Sequence, residues 1–482
     1  MNSQIRYLFT LVLLLFAGLG GALTYVQFVK APDLLADSRN TRRYIQASER
    51  DRGPLIVADN AVAVSERVPD AATYERLYPQ GALYAPVTGY FSAVNLSATG
   101  MEAAENNVLE GETNQLFWSR MRNLIAGKPR QGGGVTLTLD PQIQQTAADQ
   151  LQGRLGAVVV LDAKTSAVRA LYSSPSYDPN PLASLDSAVA QEAATALEED
   201  PSRPLDNRAI AGNRYAPGST FKILTALAML EDGFTPATEV EAPVSTTLPD
   251  TDTQVSNINM MECGSGKVTL TEAFARSCNT PFVMAPAELK AGALQDMTSR
   301  FGFGEELNIP LKVTPSTFPE EMDAAQTAMS AIGQFEVQVT PMQMAMVVQT
   351  IANDGTMMHP HLVESIVDAD NRVRATTKPE KLREPIKPHL AQEMTDMMVA
   401  VVEEPYGTAT SLQFEGLQVA AKTGTAEVGD GTRSNGWIVG FAPADDPQIV
   451  FSVLLESSDQ APNLSGADAA QIAKALLEVS VR

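Results

Sequence analysis

The residues with the clearest capacity for chemistry lie in Ala216-Pro217-Gly218-Ser219-Thr220-Phe221-Lys222. A Pro-Gly turn delivers Ser219 to the start of an apolar stretch, TFKILTALAMLEDG (220–233), that reads as a helix ending at Gly233. Residues three apart share a helix face, so the Lys222 amine is expected to reach the Ser219 hydroxyl. A serine hydroxyl is a weak nucleophile until a nearby base takes its proton. A lysine serves as that base only where burial or a neighbouring cation lowers its pKa, and the apolar helix supplies burial. Ser-x-x-Lys alone is weak evidence, because most such spacings are solvated helix faces. Two further clusters make it strong: Ser277-Cys278-Asn279, fifty-eight residues on, and Lys422-Thr423-Gly424-Thr425, another 145 residues on and inside a predicted strand. The known form of this ordered triple carries Asp at the middle of its second motif, where this chain has Cys278. Ser277 is expected to relay a proton to a leaving amine, and Asn279 to hold a substrate amide while touching Lys222. Lys422 offers a cation to a terminal carboxylate, and Thr423 and Thr425 add hydroxyl donors. Gly424 leaves room for a substrate backbone to add to the strand. The backbone amides of Ser219 and Thr425 are expected to form an oxyanion hole.

Other nucleophile chemistries fit poorly. Cys278 would need a histidine beside it, and the three histidines are His359, His361 and His389. His359-Pro360-His361 lies in a Gly/Asp/Pro-rich loop with no third ligand in view, so neither a metal nor a cofactor is expected. No convincing G-x-S-x-G supports a Ser-His-Asp triad.

Elements that could position these residues are legible around them. After Gly132-Gly133-Gly134, VTLTLD (135–140) alternates as a strand and PQIQQTAADQLQ opens a helix with Pro141. GAVVVLDA (156–163) suits a buried strand, with Ser166 to Tyr172 as its hairpin partner. Three more strands, 419–428, 436–443 and 449–458, precede a closing helix over 466–480. Helices on an antiparallel sheet with an inserted helical block define an α+β fold, an α/β/α sandwich. Residues 40–130 give short apolar pieces broken by Pro, Gly, Asn and Asp, a small mainly β or mixed module without a catalytic cluster.

The chain has 482 residues, 44% hydrophobic and 19% charged, with a net charge of −22, which argues against a nucleic-acid partner. Tyr7 to Val29 carries no charge, and twenty-three helical residues span roughly 34 Å, enough to cross a bilayer core. A cleaved signal peptide would have a shorter apolar region and a better cleavage site than Gly20-Gly21-Ala22, so an uncleaved anchor is expected. Lys30, Arg39, Arg42 and Arg43 after the span outnumber Arg6 before it, against the positive-inside pattern, but long domains translocate regardless of this count. The two cysteines, Cys263 and Cys278, are fifteen residues apart. If the motif around Ser277 and Asn279 is locally extended with both facing the cleft, Cys278 points the other way. A disulfide is then expected, with two unpaired thiols as the alternative.

The sequence resembles the class B penicillin-binding proteins, and among them the short actinobacterial type A. The resemblance runs over nearly the whole chain and includes Arg52-Gly53, Tyr78-Pro79, Ala85-Pro86-Val87-Thr88-Gly89-Tyr90, Ser174-Pro175-Ser176-Tyr177-Asp178-Pro179-Asn180, Asn207-Arg208-Ala209-Ile210, Ile332-Gly333-Gln334 and Val339-Thr340-Pro341. It implies a cytoplasmic tail and transmembrane anchor (1–30), a pedestal module (31–152) and a penicillin-binding transpeptidase domain (153–482) outside the cell. It also implies a D,D-transpeptidase acting on D-alanyl-D-alanine stem peptides and acylated by β-lactams. The implied partner is an integral-membrane glycan polymerase of the shape, elongation, division and sporulation family.

Rival readings are weaker. A class A β-lactamase draws its deacylating base from Glu-x-x-Leu-Asn; before Leu307-Asn308 that position is Gly304, with Glu305 and Glu306 out of register. Residues 30–150 are too few for a glycosyltransferase domain. A D,D-carboxypeptidase stays open, because acceptor choice is not written in these motifs. A scaffold or β-lactam sensor would be free to lose one of the three motifs, and all three are intact.

Overall fold

The computed structural model describes residues 2–30, 49–71, 73–113, 116, 131–257, 263–429 and 431–481; Arg39, Arg42, Arg43 and Glu262 lie outside them. A helix, Asn2–Thr24, runs into a wider turn, Tyr25–Val29. Its apolar span, Ser3–Gln27, has mean hydropathy 2.0 and is exposed throughout, the length and composition of a membrane-crossing helix.

The catalytic half is built on a five-stranded antiparallel sheet. Its strands are β1 (Gly156–Asp162), β2 (Val168–Ser174), β3 (Ala420–Val428), β4 (Arg433–Ala442) and β5 (Ile449–Leu455), in spatial order β3-β4-β5-β1-β2. β1 and β5 are buried almost end to end, and their mostly apolar sequences, GAVVVLD and IVFSVLL, match strands covered on both faces. Six helices matter to the site: α1 (Lys222–Glu231), α2 (Leu270–Ala275), α3 (Thr280–Met284), α4 (Pro341–Ala352), α5 (Pro388–Glu403) and α6 (Gly466–Ser480). α6 and the helix Pro141–Leu151 pack on the sheet together. Each starts with a side-chain cap, Ser465 in a capping box with Asp468 and Asp140 on the amides of Gln142 and Ile143. α4 lies against β1, β4 and β5, and all twelve of its residues are buried, with its polar side chains Gln343, Gln349 and Thr350 each bonded to a backbone carbonyl. The sequence-expected sandwich is therefore present, with the closing helix over 466–480 as expected and the last three strands shifted by at most three residues at their ends.

A second, six-stranded sheet, in the part expected to form the pedestal, has the order 373–376, 363–367, 134–137, 55–57, 60–67, 74–77. Two of its strands, Val363–Val367 and Val373–Thr376, come from far beyond residue 152, so it draws on both sides of the boundary expected from the sequence. Its buried hub is Glu102, bonded at 2.6 Å by the Nε atoms of both Arg52 and Arg76. Burial alone would raise the Glu102 carboxyl, but Arg76 and Arg52 outweigh it and hold the group below its usual range. Gly53 has no alternative residue, since a Cβ there would stand 1.9 Å from the Gly133 carbonyl oxygen. The pedestal meets the catalytic half through Asn180, which accepts from the Tyr78 amide at 2.8 Å and donates to its carbonyl at 3.0 Å. Asn207 adds a second tie, donating to the Pro86 carbonyl at 2.6 Å.

Candidate active site

Ser219 sits in a single 3₁₀ turn, Gly218–Phe221, that leads directly into α1. Gly218 has φ +52°, and a Cβ there would meet the Thr425 carbonyl oxygen at 2.6 Å, so only glycine lets this turn lie against β3. Across the turn, Gly333 has φ +72° and a Cβ there would stand 2.2 Å from the Gly218 carbonyl oxygen. The Gly218 amide donates to the Gly333 carbonyl at 3.0 Å. The Ile332-Gly333-Gln334 segment thus acts as a backstop for the serine turn.

Lys222 is fully buried at the start of α1. Its Nζ donates to the carbonyls of Ser277 (2.8 Å) and Cys278 (2.7 Å) and to Asn279 Oδ1 (2.8 Å). The expected Lys222–Asn279 contact is present. The expected hydrogen bond from Lys222 to the Ser219 hydroxyl is not formed, because three oxygens of the second motif already surround the nitrogen. Catalytic hydrogen bonds often tighten only when substrate arrives. Burial first, and the neighbouring Lys422 cation second, hold the Lys222 pKa well below the lysine range, which is what a proton-accepting lysine needs.

Ser277-Cys278-Asn279 is not the extended segment expected from the sequence. α2 ends in a Schellman arrangement: the Ser277 amide donates to the Phe274 carbonyl at 3.0 Å and the Cys278 amide to the Ala273 carbonyl at 3.0 Å. Ser277 occupies the left-handed position of that cap, φ +58°, where glycine is usual. Asn279 then stands at the amino end of α3, its side chain turned to Lys222 and Ser256 and not to the helix amides. Its amide donates to Asn257 Oδ1 at 2.8 Å and its Nδ2 to the Ser256 carbonyl at 2.9 Å, so the residues behind the motif hold it. A helix-to-helix turn, not strand alternation, separates the direction of Cys278 from its neighbours. Cys278 is joined to Cys263 as a disulfide with Cα atoms 5.9 Å apart. Closing a loop of this size stabilises a fold by roughly 3 kcal/mol on the chain-entropy estimate.

Lys422, on β3, completes the constellation. Fully buried, its Nζ donates to Ser277 Oγ at 2.8 Å and to the Thr423 carbonyl at 2.9 Å. Burial lowers its pKa to about 7. Thr423 shares a 2.6 Å hydroxyl–hydroxyl bond with Thr408, a partner that nothing in the sequence singled out. Thr425 is exposed on the free edge of the sheet, since β3 pairs only with β4. Gly424 differs from expectation. A Cβ there would meet Thr220 Cγ2 at 2.9 Å, the Pro217 carbonyl oxygen at 3.0 Å and Trp437 Cβ at 3.1 Å. Its missing side chain lets β3 close on the serine turn.

The three motifs, spread over more than 200 residues of chain, therefore meet where the buried amines of Lys222 and Lys422 both bond the Ser277–Asn279 turn. Glu305 and Glu306 lie outside it: Glu305 is ion-paired with Arg383, Glu306 with Lys312, and both are exposed. Among the described residues no group of three or more His, Cys, Asp or Glu could hold a metal.

A serine beside two desolvated lysines, on this sheet, defines a serine acyltransferase, and comparison with known families gives the same class. The penicillin binding protein transpeptidase domain family matches residues 156–478, and the penicillin binding protein A dimerisation domain family matches residues 52–135. The chain belongs to the penicillin-binding protein transpeptidase family. It is 39% identical to the peptidoglycan D,D-transpeptidase PbpA of Mycolicibacterium smegmatis, over 100% of this chain and 99% of that one. The PbpA of Mycobacterium tuberculosis is 36% identical with the same coverage. Penicillin-binding protein A from M. tuberculosis, solved as a ceftriaxone acyl-enzyme, superposes with TM-score 0.86 at 36% identity, covering 91% of this chain and 100% of that one. The penicillin G acyl-enzyme of the same protein gives 0.84 at 37%, covering 90% and 100%.

Proposed function

We propose that the chain is a peptidoglycan D,D-transpeptidase in which Ser219 carries the acyl group. The observation that supports it best is the convergence of the two buried lysines on the Ser277–Asn279 turn, each at 2.7–2.8 Å. In this reading Ser219 Oγ adds to the carbonyl of the penultimate D-alanine as its proton passes to the Lys222 amine. The amides of Ser219 and Thr425 stabilise the oxyanion. The C–N bond then breaks as Ser277 hands its proton to the departing D-alanine amine and takes back the one that Lys222 had accepted. An acceptor amine attacks the ester next, forming the cross-link and returning the proton to Ser219. Lys422, Thr423 and Thr425 hold the terminal carboxylate of the stem peptide, or the carboxylate of a β-lactam that acylates the same serine. Asn279 orients the substrate amide.

Residues 1–30 anchor the chain, with the amino terminus in the cytoplasm and the catalytic half outside, followed by a pedestal and the transpeptidase domain. An integral-membrane glycan polymerase of the shape, elongation, division and sporulation family is the expected partner. A D,D-carboxypeptidase would use the same site with water as acceptor. Fluorescent penicillin followed by peptide mapping tests the assignment: the label is expected on Ser219 and lost in Ser219→Ala with the fold retained. Label on another residue, or retained by that variant, overturns it.

A further inference from the structure

The segment that carries Ser219 into the site is held by side chains that belong to none of the three motifs. Tyr215 bridges Val339 in both directions, its amide donating at 2.9 Å and its carbonyl accepting at 2.8 Å. Its buried hydroxyl donates to Glu456 Oε2 at 3.2 Å, and the same oxygen accepts from Arg208 Nε at 2.7 Å. Arg208 is itself buried, with its other nitrogens on the carbonyls of Arg203 (3.1 Å) and Ser202 (2.7 Å). Glu456 follows directly on β5 and its amide donates to the Leu155 carbonyl at 2.9 Å, so the carboxylate is fixed to the central sheet. One residue further along the strap, the Ala216 carbonyl accepts from the indole Nε1 of Trp437 at 3.0 Å. Trp437 is fully buried on β4, packs edge-on against Tyr215 with ring centroids 6.4 Å apart, and is paired across the sheet with Gly424.

These contacts form a ruler. Trp437 touches Gly424 of the third motif and Ala216, three residues before the nucleophile. Tyr215, clamped by Glu456 and Arg208, stops the strap from sliding along that indole. The separation between Ser219 and β3 decides whether the two proposed oxyanion amides converge on one atom, and small displacements of reacting groups are costly. We infer that Tyr215, Glu456 and Trp437 are positioning residues for acylation, setting the distance between the Ser219 turn and β3 without touching substrate. This rests on Ser219 being the nucleophile.

Because the clamp acts on alignment and not on the walls that grip the ligand, it is expected to govern the acylation step and not initial binding. Tyr215→Phe removes one hydroxyl and keeps the ring against Trp437. Stopped-flow acylation of the full chain by benzylpenicillin separates the rate constant for acylation from the dissociation constant for the preceding complex, with thermal unfolding followed in parallel. Acylation is expected to slow by about tenfold while the dissociation constant stays within about threefold. An acylation constant within about threefold of the parent, or a loss carried by the dissociation constant, overturns the inference. Should Tyr215→Phe not fold, Glu456→Gln is judged on the same two constants. Peptide mapping of the trapped adduct keeps the two questions apart: label away from Ser219 refutes the nucleophile, whereas label on Ser219 at the parental rate refutes only the clamp.

Discussion

Lys422 answers to two opposed demands. As the proposed partner of a carboxylate it must be an ammonium, yet full burial lowers its pKa to about 7. Lys222 must be a free amine to accept a proton, and its pKa lies well below the usual range. The two residues therefore predict opposite limbs of a pH profile. As pH falls Lys222 becomes protonated and acylation falls; as pH rises through about 7, Lys422 loses its charge and the attraction for carboxylate weakens. The second-order acylation constant for benzylpenicillin, which reports the free enzyme, is expected to be bell-shaped with its alkaline limb near that value. A constant still climbing between pH 7 and pH 9 contradicts the role given to Lys422. Both lysines were legible as motif residues from their spacing alone. Their contacts were not: Lys222 faces three oxygens of the second motif and none of Ser219, because the hydroxyl competes with carbonyls brought in from residue 277 onward.

At the scale of elements, the second motif shows how a helix ending can be a catalytic device. The Schellman cap of α2 demands a left-handed residue, and Ser277 stands there in place of glycine. A non-glycine residue in that region costs on the order of 1 kcal/mol or more, and at functional sites such strain is borne by the surrounding structure. Here α3, the Cys263–Cys278 disulfide and the Asn257 side chain hold it in place. Two variants isolate the backbone term, since both remove the hydroxyl that accepts from Lys422. Ser277→Gly is expected to be more stable than Ser277→Ala by about 1 kcal/mol in urea unfolding. Equal stabilities, or the reverse order, would mean that the left-handed position carries no strain. Period-two reasoning failed at this motif because three residues are too few to show a period, and the flanking apolar runs contain no glycine to mark a helix end.

For the molecule as a whole, Asn180, Asn207, Ser176 and Asn95 are among the residues whose side chains join the first 152 residues to the rest, while the apolar span Ser3–Gln27 is exposed throughout. A chain beginning at Asp33 is therefore expected to be soluble and to label with fluorescent penicillin at the parental rate, because no site residue precedes Ser219. In cells it is expected to fail to replace the full chain, because the proposed anchor concentrates it at the membrane beside its substrate. Full complementation by the secreted, truncated form would remove the anchor from the functional account. The pedestal sheet also reaches into the catalytic half for Val363–Val367 and Val373–Thr376, so cutting the chain at residue 152 separates strands that pair.

Sequence by itself determined the chemistry and the class. Three motifs in fixed order, a Pro-Gly turn before an apolar helix, and a continuous apolar run at 157–161 are local patterns, and local patterns constrain backbone choice and burial directly. Tertiary structure alone decided the rest. It placed Thr408 against Thr423, showed that Gly424 and Gly218 serve the closure of β3 on the serine turn, and assembled Arg208, Glu456, Tyr215 and Trp437 around the strap. These partners lie between 15 and 248 residues apart in the chain. No periodicity or spacing rule spans such separations, since the contact exists only once the sheet has set which strands are neighbours.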